Sequence, residues 1–275
     1  MAGSPGSAGR TAAATAARPL TACIITLNEE AQLADCLRSL DFCDEIIVVD
    51  SHSTDRTRDI AASFGARVIE RDWPGYRSQK QFAVDAATHD WVLSLDADER
   101  LSEGLREEIL RLRETPAAAG NAGTSVVGYR MPRMTRYFGE WIRHGDWYPD
   151  RLLRVFDRRH CRFGGEEVHE KVVPQGKVAS LRHPILHDSY EGLDDQLAKL
   201  QRYARMWAEA RHTKGKRASL VEIFFNPFWR FFRAYVLRLG LLDGWRGLCI
   251  ALIEANYVRQ KYLRLWMLGK TKGSL

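Results

Sequence analysis

Short apolar runs alternate with segments of helical periodicity through the N-terminal part of the chain. Four runs rich in β-branched and aliphatic residues indicate strands: Thr21–Leu27, Asp44–Asp50, Ala66–Arg71 and Trp91–Leu95. Between the first two, leucines recur at the spacing of an amphipathic helix. Strands that alternate with helices predict a parallel sheet covered on both faces. Such sheets bind ligands at the carboxyl ends of their strands.

Polar clusters fall at these strand ends, in "TLNEE", "VVDSHSTD" and "LDADE". Asn28 is predicted to cap the first helix, with Glu29 and Glu30 in its first turn, where the helix dipole favours acids. Ser53 is predicted to cap the second helix in the same way. Further helices are expected over 76–88 and 102–114.

The pattern changes beyond residue 115. The small residues of "TPAAAGNAGT" predict an exposed loop, and 126–190 holds short extended pieces rich in arginine, aromatics, glycine and histidine. Helical spacing returns from Leu193 to Arg211, and the last stretch predicts helices broken near Asn226–Pro227 and Asp243–Gly244. Residues 1–20, rich in alanine, glycine, serine and threonine, are expected to be disordered.

Charge is distributed unevenly along the 275 residues. The whole chain carries a formal +6, but the stretch from residue 201 onward has 15 Lys/Arg against four Asp/Glu, a net of +11. Its arginines are interleaved with phenylalanines, which favours a helix lying at an anionic membrane surface. Core packing or a homodimer interface would explain the apolar residues equally well. Nucleic acid is not expected, because no recognised binding module accompanies the charge.

Cysteine usage bears on the compartment. The five cysteines are scattered, with no CxxC and no zinc-like spacing, which favours a reducing, cytoplasmic setting. The first 20 residues lack the apolar core of a signal peptide, and no run is long enough to predict a transmembrane helix.

The segment "WVLSLDADER" ends a buried strand on acids. Asp96 and Asp98 alternate, so in an extended segment they lie on the same side of the chain. Two such carboxylates suit Mg²⁺ or Mn²⁺ shared with substrate phosphates. The alternative is a solvated turn before the next helix. The sequence contains no P-loop, no GxGxxG after the first strand and no GxSxG, which argues against NTPases, Rossmann dehydrogenases and serine hydrolases.

Three motifs in order, "CIITLNEE", "IIVVDSHSTDRT" and "GYRSQKQFAVDAATHDWVLSLDADE", resemble the nucleotide-sugar half of the inverting glycosyltransferases of family two, which have the α/β GT-A fold. The resemblance covers about residues 21–100 and implies a metal–diphosphate site at the acids. Asp98 would bind the metal, and His187 would be a further ligand or, alternatively, a structural histidine. His52 departs from the glycine found in many members.

The donor site implied by the resemblance comprises Thr26, Leu27, Asn28, Glu29, Glu30, Asp50, Ser51, Ser53, Arg77, Lys80, Asp96 and Ala97. Alternatives stay open for some of them. Ser51, Ser53 and the nearby Asp55 would equally serve the first turn of the second helix, and Arg77 or Lys80 would equally suit a solvated helix face.

Inverting transfer needs a general base for the acceptor hydroxyl. "FGGEEVHEKV" supplies ionisable groups on a glycine-rich loop, and its V-H-E element resembles the lipopolysaccharide-core glucosyltransferase branch of the family. Glu170 is the favoured base and Glu166 the second choice, with His169 orienting the base or a phosphate. Surface charges on a hairpin are the alternative. Trp141 and Trp147 suit sugar rings, or else a half-buried core.

The sequence thus predicts a metal-dependent glycosyltransferase at the inner face of the cytoplasmic membrane. It would transfer a hexose, glucose from UDP-glucose, to the lipopolysaccharide inner core. A polyprenyl phosphate or other envelope glycan is the alternative acceptor, and a non-catalytic nucleotide-sugar-binding protein the alternative class. Four parts are predicted. Residues 1–20 form a disordered N-terminal segment, 21–115 the donor half, 116–190 the acceptor-side half and 191–275 a basic helical extension.

Overall fold

Four parallel strands form the N-terminal half of the sheet in the computed structural model, which describes residues 17–114, 126–165, 170–188 and 192–271. They are adjacent in the order β3, β2, β1, β4. Their bounds are β1 Leu20–Thr26, β2 Glu45–Asp50, β3 Arg67–Glu70 and β4 Trp91–Asp96. The predicted parallel sheet is confirmed. Leu20, predicted to be disordered, is instead buried in β1, and residues 1–16 lie outside the described residues.

Helices cover both faces of this half, as predicted. Their bounds are α1 Leu33–Arg38, α2 Thr57–Ser63, α3 Tyr76–Asp85 and α4 Glu103–Glu114. Alternate residues of β1 enter opposite cores: Ile24 packs with the residues of α1 and α4, whereas Ile25 packs with those of α3. Burial on both faces explains why the strands are continuously apolar.

Two predicted helix starts are wrong. Helix α1 begins at Leu33 and α2 at Thr57, and neither Asn28 nor Ser53 caps them. Asn28 instead has a left-handed backbone, with φ of 55°; its backbone N–H donates to Ser53 Oγ at 2.8 Å, and its side-chain Oδ1 accepts from Thr54 N. Both polar side chains therefore join two loops rather than terminate helices.

The sheet continues past β4 through mainly antiparallel strands, in the order β4, β8, β6, β12, β5. Strand β11 also pairs with β6, β7 pairs with the end of β6, and β9 and β10 form a separate antiparallel pair. The bounds are β5 Glu99–Leu101, β6 Val126–Tyr137, β7 Glu140–Trp141, β8 Asp150–Asp157, β9 Cys161–Gly164, β10 Lys171–Pro174, β11 Lys177–Ser180 and β12 Ile185–His187. Strand β12 is decisive for the site because its register places His187 opposite Glu99, beside Asp98.

Three helices follow: α5 Leu193–Thr213, α6 Leu220–Phe232 and α7 Gly244–Lys270. The break predicted at Asn226–Pro227 is wrong, since α6 runs through Pro227. The break at Asp243–Gly244 is confirmed, because a 3₁₀ turn ends there and α7 begins. At Gly247 an added Cβ would lie 1.8 Å from the Gly240 carbonyl oxygen, so this close approach requires glycine. None of the described helices combines the length and apolarity needed to cross a bilayer.

Candidate active site

The loops after β1 and β2 are bonded to each other at the carboxyl edge of the sheet. Thr54 N donates to Asn28 Oδ1 at 2.8 Å, Glu30 N donates to Asp55 Oδ2 at 3.1 Å, and Arg56 N donates to Glu30 Oε2 at 3.0 Å. These reciprocal bonds make one rigid rim from two segments. Leu27, Asn28 and Glu30 are exposed on that rim, where a donor would meet them.

Asp50 lies beneath the rim and is fully enclosed. It accepts hydrogen bonds from Thr26 Oγ1 at 2.9 Å, from Ser53 N at 2.8 Å and from the Ser53 hydroxyl. Ser51 is also buried, and its hydroxyl accepts a bond from Gln79 Nε2 at 3.1 Å. In this arrangement these predicted donor-site residues shape the rim from below.

Asp96 ends β4 between two cations. Its Oδ1 lies 2.8 Å from Lys80 Nζ and its Oδ2 lies 3.0 Å from Arg154 Nη2. Burial alone would raise the pKa of Asp96, but Lys80 and Arg154 outweigh it and hold the pKa well below its usual range. The carboxylate is therefore ionised and fixed in place. Lys80 is buried, so the solvated-face alternative for this lysine is wrong.

A buried ion network supports Asp96 from behind. Arg154 Nη2 lies 2.8 Å from Glu99 Oε1, and Arg133 Nη1 lies 3.2 Å from the same oxygen. Burial would lower the pKa of Arg154, but Glu99 and Asp96 raise it above the usual value. Sequence reasoning did not assign Arg154, Glu99 or Arg133. The available signal was a charged residue inside the apolar run "LLRVF".

Asp98 faces a histidine from another strand. Its Oδ2 lies 3.2 Å from His187 Nε2, and the other ring nitrogen, Nδ1, lies 3.3 Å from Thr135 Oγ1. Ala97, between the two aspartates, packs its methyl group in the core, so only its backbone is available to a ligand. The structure thus brings together the two residues predicted to bind metal.

The donor chemistry of this pair fits a divalent ion. A carboxylate oxygen and an imidazole nitrogen suit Mn²⁺, and Mg²⁺ is compatible if phosphate oxygens complete its shell. The described residues contain no cluster of three or more His, Cys, Asp or Glu placed to hold a metal. Diphosphate oxygens and water would therefore have to supply the remaining ligands.

Glu29 is a further acid at the cleft, and it is only partly ionised near neutral pH. Burial, followed by the charge of Asp98, raises the pKa of Glu29 to about 7, although Lys199 on α5 acts in the opposite direction. A cleft with this many acids is suited to a bound cation.

Glu170 reaches the same site from the acceptor side. Its Oε1 lies 2.7 Å from Lys80 Nζ, so a single ammonium contacts both Glu170 and Asp96. Glu166 and His169 lie outside the described residues. Arg77 is half-buried on α3, and its predicted contact with the nucleotide stays a prediction.

The two tryptophans differ in their surroundings. Trp147 is half-buried, stacks edge-on against Tyr137 at 5.3 Å and donates from Nε1 to Glu254 Oε1 at 3.3 Å, so it belongs to the packed interior. Trp141 lies under the guanidinium of Arg100, 5.7 Å from the ring centroid, on the acceptor side. Trp141 is the better candidate for a sugar platform.

A parallel nucleotide-binding half that continues as a mainly antiparallel acceptor half in one sheet is the GT-A arrangement. The family model for glycosyl transferase family 2 matches residues 21–166, and the chain belongs to that family. It is a glycosyltransferase.

Relatives match along nearly the whole chain. The lipopolysaccharide core biosynthesis glycosyltransferase LpsC of Rhizobium meliloti (strain 1021) is 36% identical over 258 residues, covering 89% of this chain and 93% of that protein. A glycosyltransferase of Rickettsia felis is 30% identical, and the match covers 93% of this chain and 90% of that protein. The similarity therefore includes the C-terminal helices.

A solved structure is similar to this chain at a lower level. Mycobacterium tuberculosis glucosyl-3-phosphoglycerate synthase, in complex with Mn²⁺, uridine diphosphate and phosphoglyceric acid, is 18% identical. Its TM-score is 0.44, with 70% of this chain and 78% of that chain covered. This similarity is too low to carry those ligands over to the present chain.

Proposed function

We propose that this glycosyltransferase transfers a hexose, glucose from UDP-glucose, to the inner core of lipopolysaccharide at the inner face of the cytoplasmic membrane. The observation that carries the proposal is the meeting of Asp96, Asp98, His187 and Glu170 at one sheet edge. The full-length similarity to LpsC supports the acceptor class. UDP-glucose rests on the sequence resemblance.

The donor diphosphate would lie against Asp98 and His187, which would hold Mg²⁺ or Mn²⁺. When bound, the ion neutralises negative charge that develops on the departing diphosphate. Thr135 fixes His187 through its other ring nitrogen, so the imidazole presents Nε2 to the site. The rim of Leu27, Asn28 and Glu30 would contact the nucleotide.

Glu170 is the proposed general base. It takes the proton of the acceptor hydroxyl as that oxygen bonds to the anomeric carbon and the bond from the carbon to the diphosphate oxygen breaks. UDP leaves from the opposite side, so the configuration inverts. Lys80 holds Glu170 and Asp96 in one frame, which fixes the base relative to the donor. Glu166 is the alternative base, and His169 would orient the base or a phosphate.

The acceptor alternatives are a polyprenyl phosphate or another envelope glycan. A protein that binds nucleotide sugar without transferring it is the alternative from a different class. The carboxylates placed around Lys80 favour catalysis over binding alone.

Mass spectrometry of reaction products tests the proposal. The purified protein is incubated with individual UDP-hexoses and truncated lipopolysaccharides, with and without EDTA. We expect one added hexose with UDP-glucose and inner-core acceptor, abolished by EDTA and restored by Mn²⁺ or Mg²⁺. The variant Asp98→Asn should be inactive, whereas Asp90→Asn, an acid outside the site, should match the wild type. Full turnover in EDTA contradicts the metal role, and no product with any lipopolysaccharide contradicts the acceptor.

A further inference from the structure

Helix α6 directs an apolar face away from the protein. Val221, Phe224, Phe225 and Phe228 recur at helical spacing on one side and are 56–74% exposed. We call these four residues the phenylalanine face. The opposite side carries the buried Ile223, and there the helix packs against α7. A helix in contact with water alone would place its phenylalanines on the packed side, so this face needs an apolar partner.

Exposed apolar side chains continue beyond α6. The turn before α7 and the first turn of α7 contribute a further exposed set: Leu239, Leu241, Leu242 and Trp245. The ring of Trp245 lies 5.9 Å from that of Phe138, which is itself about half exposed at the end of β6. Strand β6 also carries Thr135 of the candidate active site. The exposed apolar residues thus extend to the acceptor side of the sheet.

Three arginines of α6 and the residues after it contact a buried acid of the protein. Arg230 and Arg233 lie 2.6 and 2.7 Å from Asp146 Oδ2, and Arg238 lies 2.9 Å from Asp146 Oδ1. The Asp146 side chain is only 3% exposed. These ion pairs connect the helices to the sheet, so the inference below does not rest on these three arginines.

Other cations come shortly before the phenylalanine face in the chain. Lys214, Lys216 and Arg217 are exposed in the connection that leads into α6. The single acid of α6, Glu222, is engaged in a capping box with Ser219. A cationic edge beside aromatic side chains complements anionic lipid headgroups above acyl chains. In a two-fold dimer the same surface meets itself, and the cationic edges would have no acids of α6 to pair with.

We infer that the phenylalanine face inserts into the boundary between headgroups and acyl chains of an anionic leaflet, with Lys214, Lys216 and Arg217 contacting the headgroups. This inference deepens the proposed function and rests on it, because a lipid-anchored acceptor gives the surface its purpose. Apolar insertion supplies the main attraction and headgroup charge the smaller part. Binding should therefore survive salt that abolishes purely electrostatic adsorption.

Vesicle flotation tests the inference with the full chain. Wild type should float with mixed phosphatidylcholine–phosphatidylglycerol vesicles at about 0.1 M and still at about 1 M salt, where the Debye length falls from ~10 to ~3 Å. The double variant Phe224→Gln/Phe228→Gln should lower vesicle partitioning at least ~10-fold at both salt concentrations, because two rings that would insert into the bilayer are lost. Phe64→Gln, an exposed phenylalanine beside α2, is the matched control and should bind like wild type.

Substituting Lys214, Lys216 and Arg217 with Gln should weaken binding at low salt only. Binding by the double variant equal to wild type, or complete loss of wild-type binding at high salt, overturns the inference. The face is instead a dimer interface if three results are found together. Wild type is a dimer without lipid, the double variant is a monomer, and wild type does not bind vesicles. Val221→Gln, the change of an equally exposed side chain, replaces the double variant if that protein does not fold.

Transfer to a soluble truncated acceptor separates the two proposals. The double variant should retain this transfer, because none of its changes touches the active site. Vesicle binding without transfer by wild type contradicts the proposed function but not the membrane binding of the phenylalanine face. Transfer without vesicle binding contradicts only the membrane binding of the phenylalanine face.

Discussion

Lys80 Nζ lies 2.7 Å from Glu170 Oε1, although the two residues are 90 positions apart in the chain. Lys80 belongs to α3 of the donor half, and Glu170 precedes β10 on the acceptor side. This ion pair joins the two halves where the sugar would be transferred. Its position makes Glu170 the side chain to test first.

Glu170→Gln keeps the size and polarity of the side chain but removes the proton acceptor. We expect turnover to fall ~10²–10⁴-fold, the usual effect of losing a general base. UDP-sugar binding, measured by calorimetry, should be unchanged. Glu140→Gln, an exposed acid on β7, serves as the control. A large loss with Glu166→Gln and a small one with Glu170→Gln would assign the base to Glu166.

Thr135→Val removes the hydroxyl that lies 3.3 Å from His187 Nδ1 and leaves both proposed metal ligands in place. Loss of such a supporting partner typically weakens metal affinity ~10–100-fold, because the imidazole is no longer held in one orientation. Mn²⁺ titration followed by electron paramagnetic resonance measures this directly. Thr135→Ser keeps the hydroxyl and should bind Mn²⁺ like wild type. Equal affinities for the valine variant and wild type would contradict the supporting role of Thr135.

Arg154→Met leaves the buried Glu99 carboxylate without its closest cation. Breaking a buried ion pair from one side typically costs ~3–5 kcal/mol of unfolding free energy. Arg111→Met is the matched control, since Arg111 also pairs with a carboxylate, at 3.0 Å from Glu107, but the two side chains are 73% and 63% exposed. Exposed pairs contribute ~0–1 kcal/mol. Urea unfolding of both variants should show this difference, and equal losses would argue against a structural role for the network.

Glu45 predicts a pH dependence of stability. Partial burial raises its pKa, but hydrogen bonds from Thr88 and Thr21, with Arg67, lower the pKa to about 2. The unfolded value is 4.5, so the ionised carboxylate stabilises the fold fully above that pH. The contribution is then lost as the pH falls from 4.5 toward 2. The shift corresponds to roughly 3 kcal/mol.

Urea unfolding of Glu45→Gln tests this dependence. The variant should be less stable than wild type at neutral pH, and the two curves should converge in acid. Glu107→Gln, a surface acid paired with Arg111, should show no such convergence. Parallel pH profiles for wild type and Glu45→Gln would contradict the assignment.

Asp146→Asn removes the charge shared by Arg230, Arg233 and Arg238. We expect a loss of ~1–3 kcal/mol in unfolding free energy, because the three arginines lose their shared counter-charge but remain 25–54% exposed to water. Hydrogen exchange should show faster exchange in α6 and at the start of α7 while β1–β4 keep their protection. Equally faster exchange throughout the chain would mean that the ion pairs of Asp146 stabilise the whole protein rather than α6 and α7 alone.

The pattern of apolar residues predicted the parallel half of the fold because that information is local. Each strand is bounded by its own turn residues, and Asp96 and Asp98 follow directly from where β4 ends. The predicted metal pair needed the family resemblance as well, since His187 is 89 positions from Asp98.

The errors arose where a local rule competed with a distant partner. Asn28 and Ser53 are good capping residues, but their side chains bond across a separation of about 25 positions, and those contacts determined the structure. Arg154 was missed because its partners, Asp96 and Glu99, come from another strand end. Pro227 predicts a break from its missing amide alone, whereas the surrounding helix packing keeps α6 continuous.

The pairing of β12 between β5 and β6 has a consequence for protein synthesis. Because side chains alternate along a strand, only the observed register turns His187 toward Asp98, and a one-residue slip would turn it away. Asp98 leaves the ribosome 89 residues before its partner. At ~5–20 residues per second this gap lasts several seconds or more. During that interval a nascent donor half lacks one of the two proposed metal ligands, so it should remain unable to engage metal and nucleotide sugar until β12 has been made.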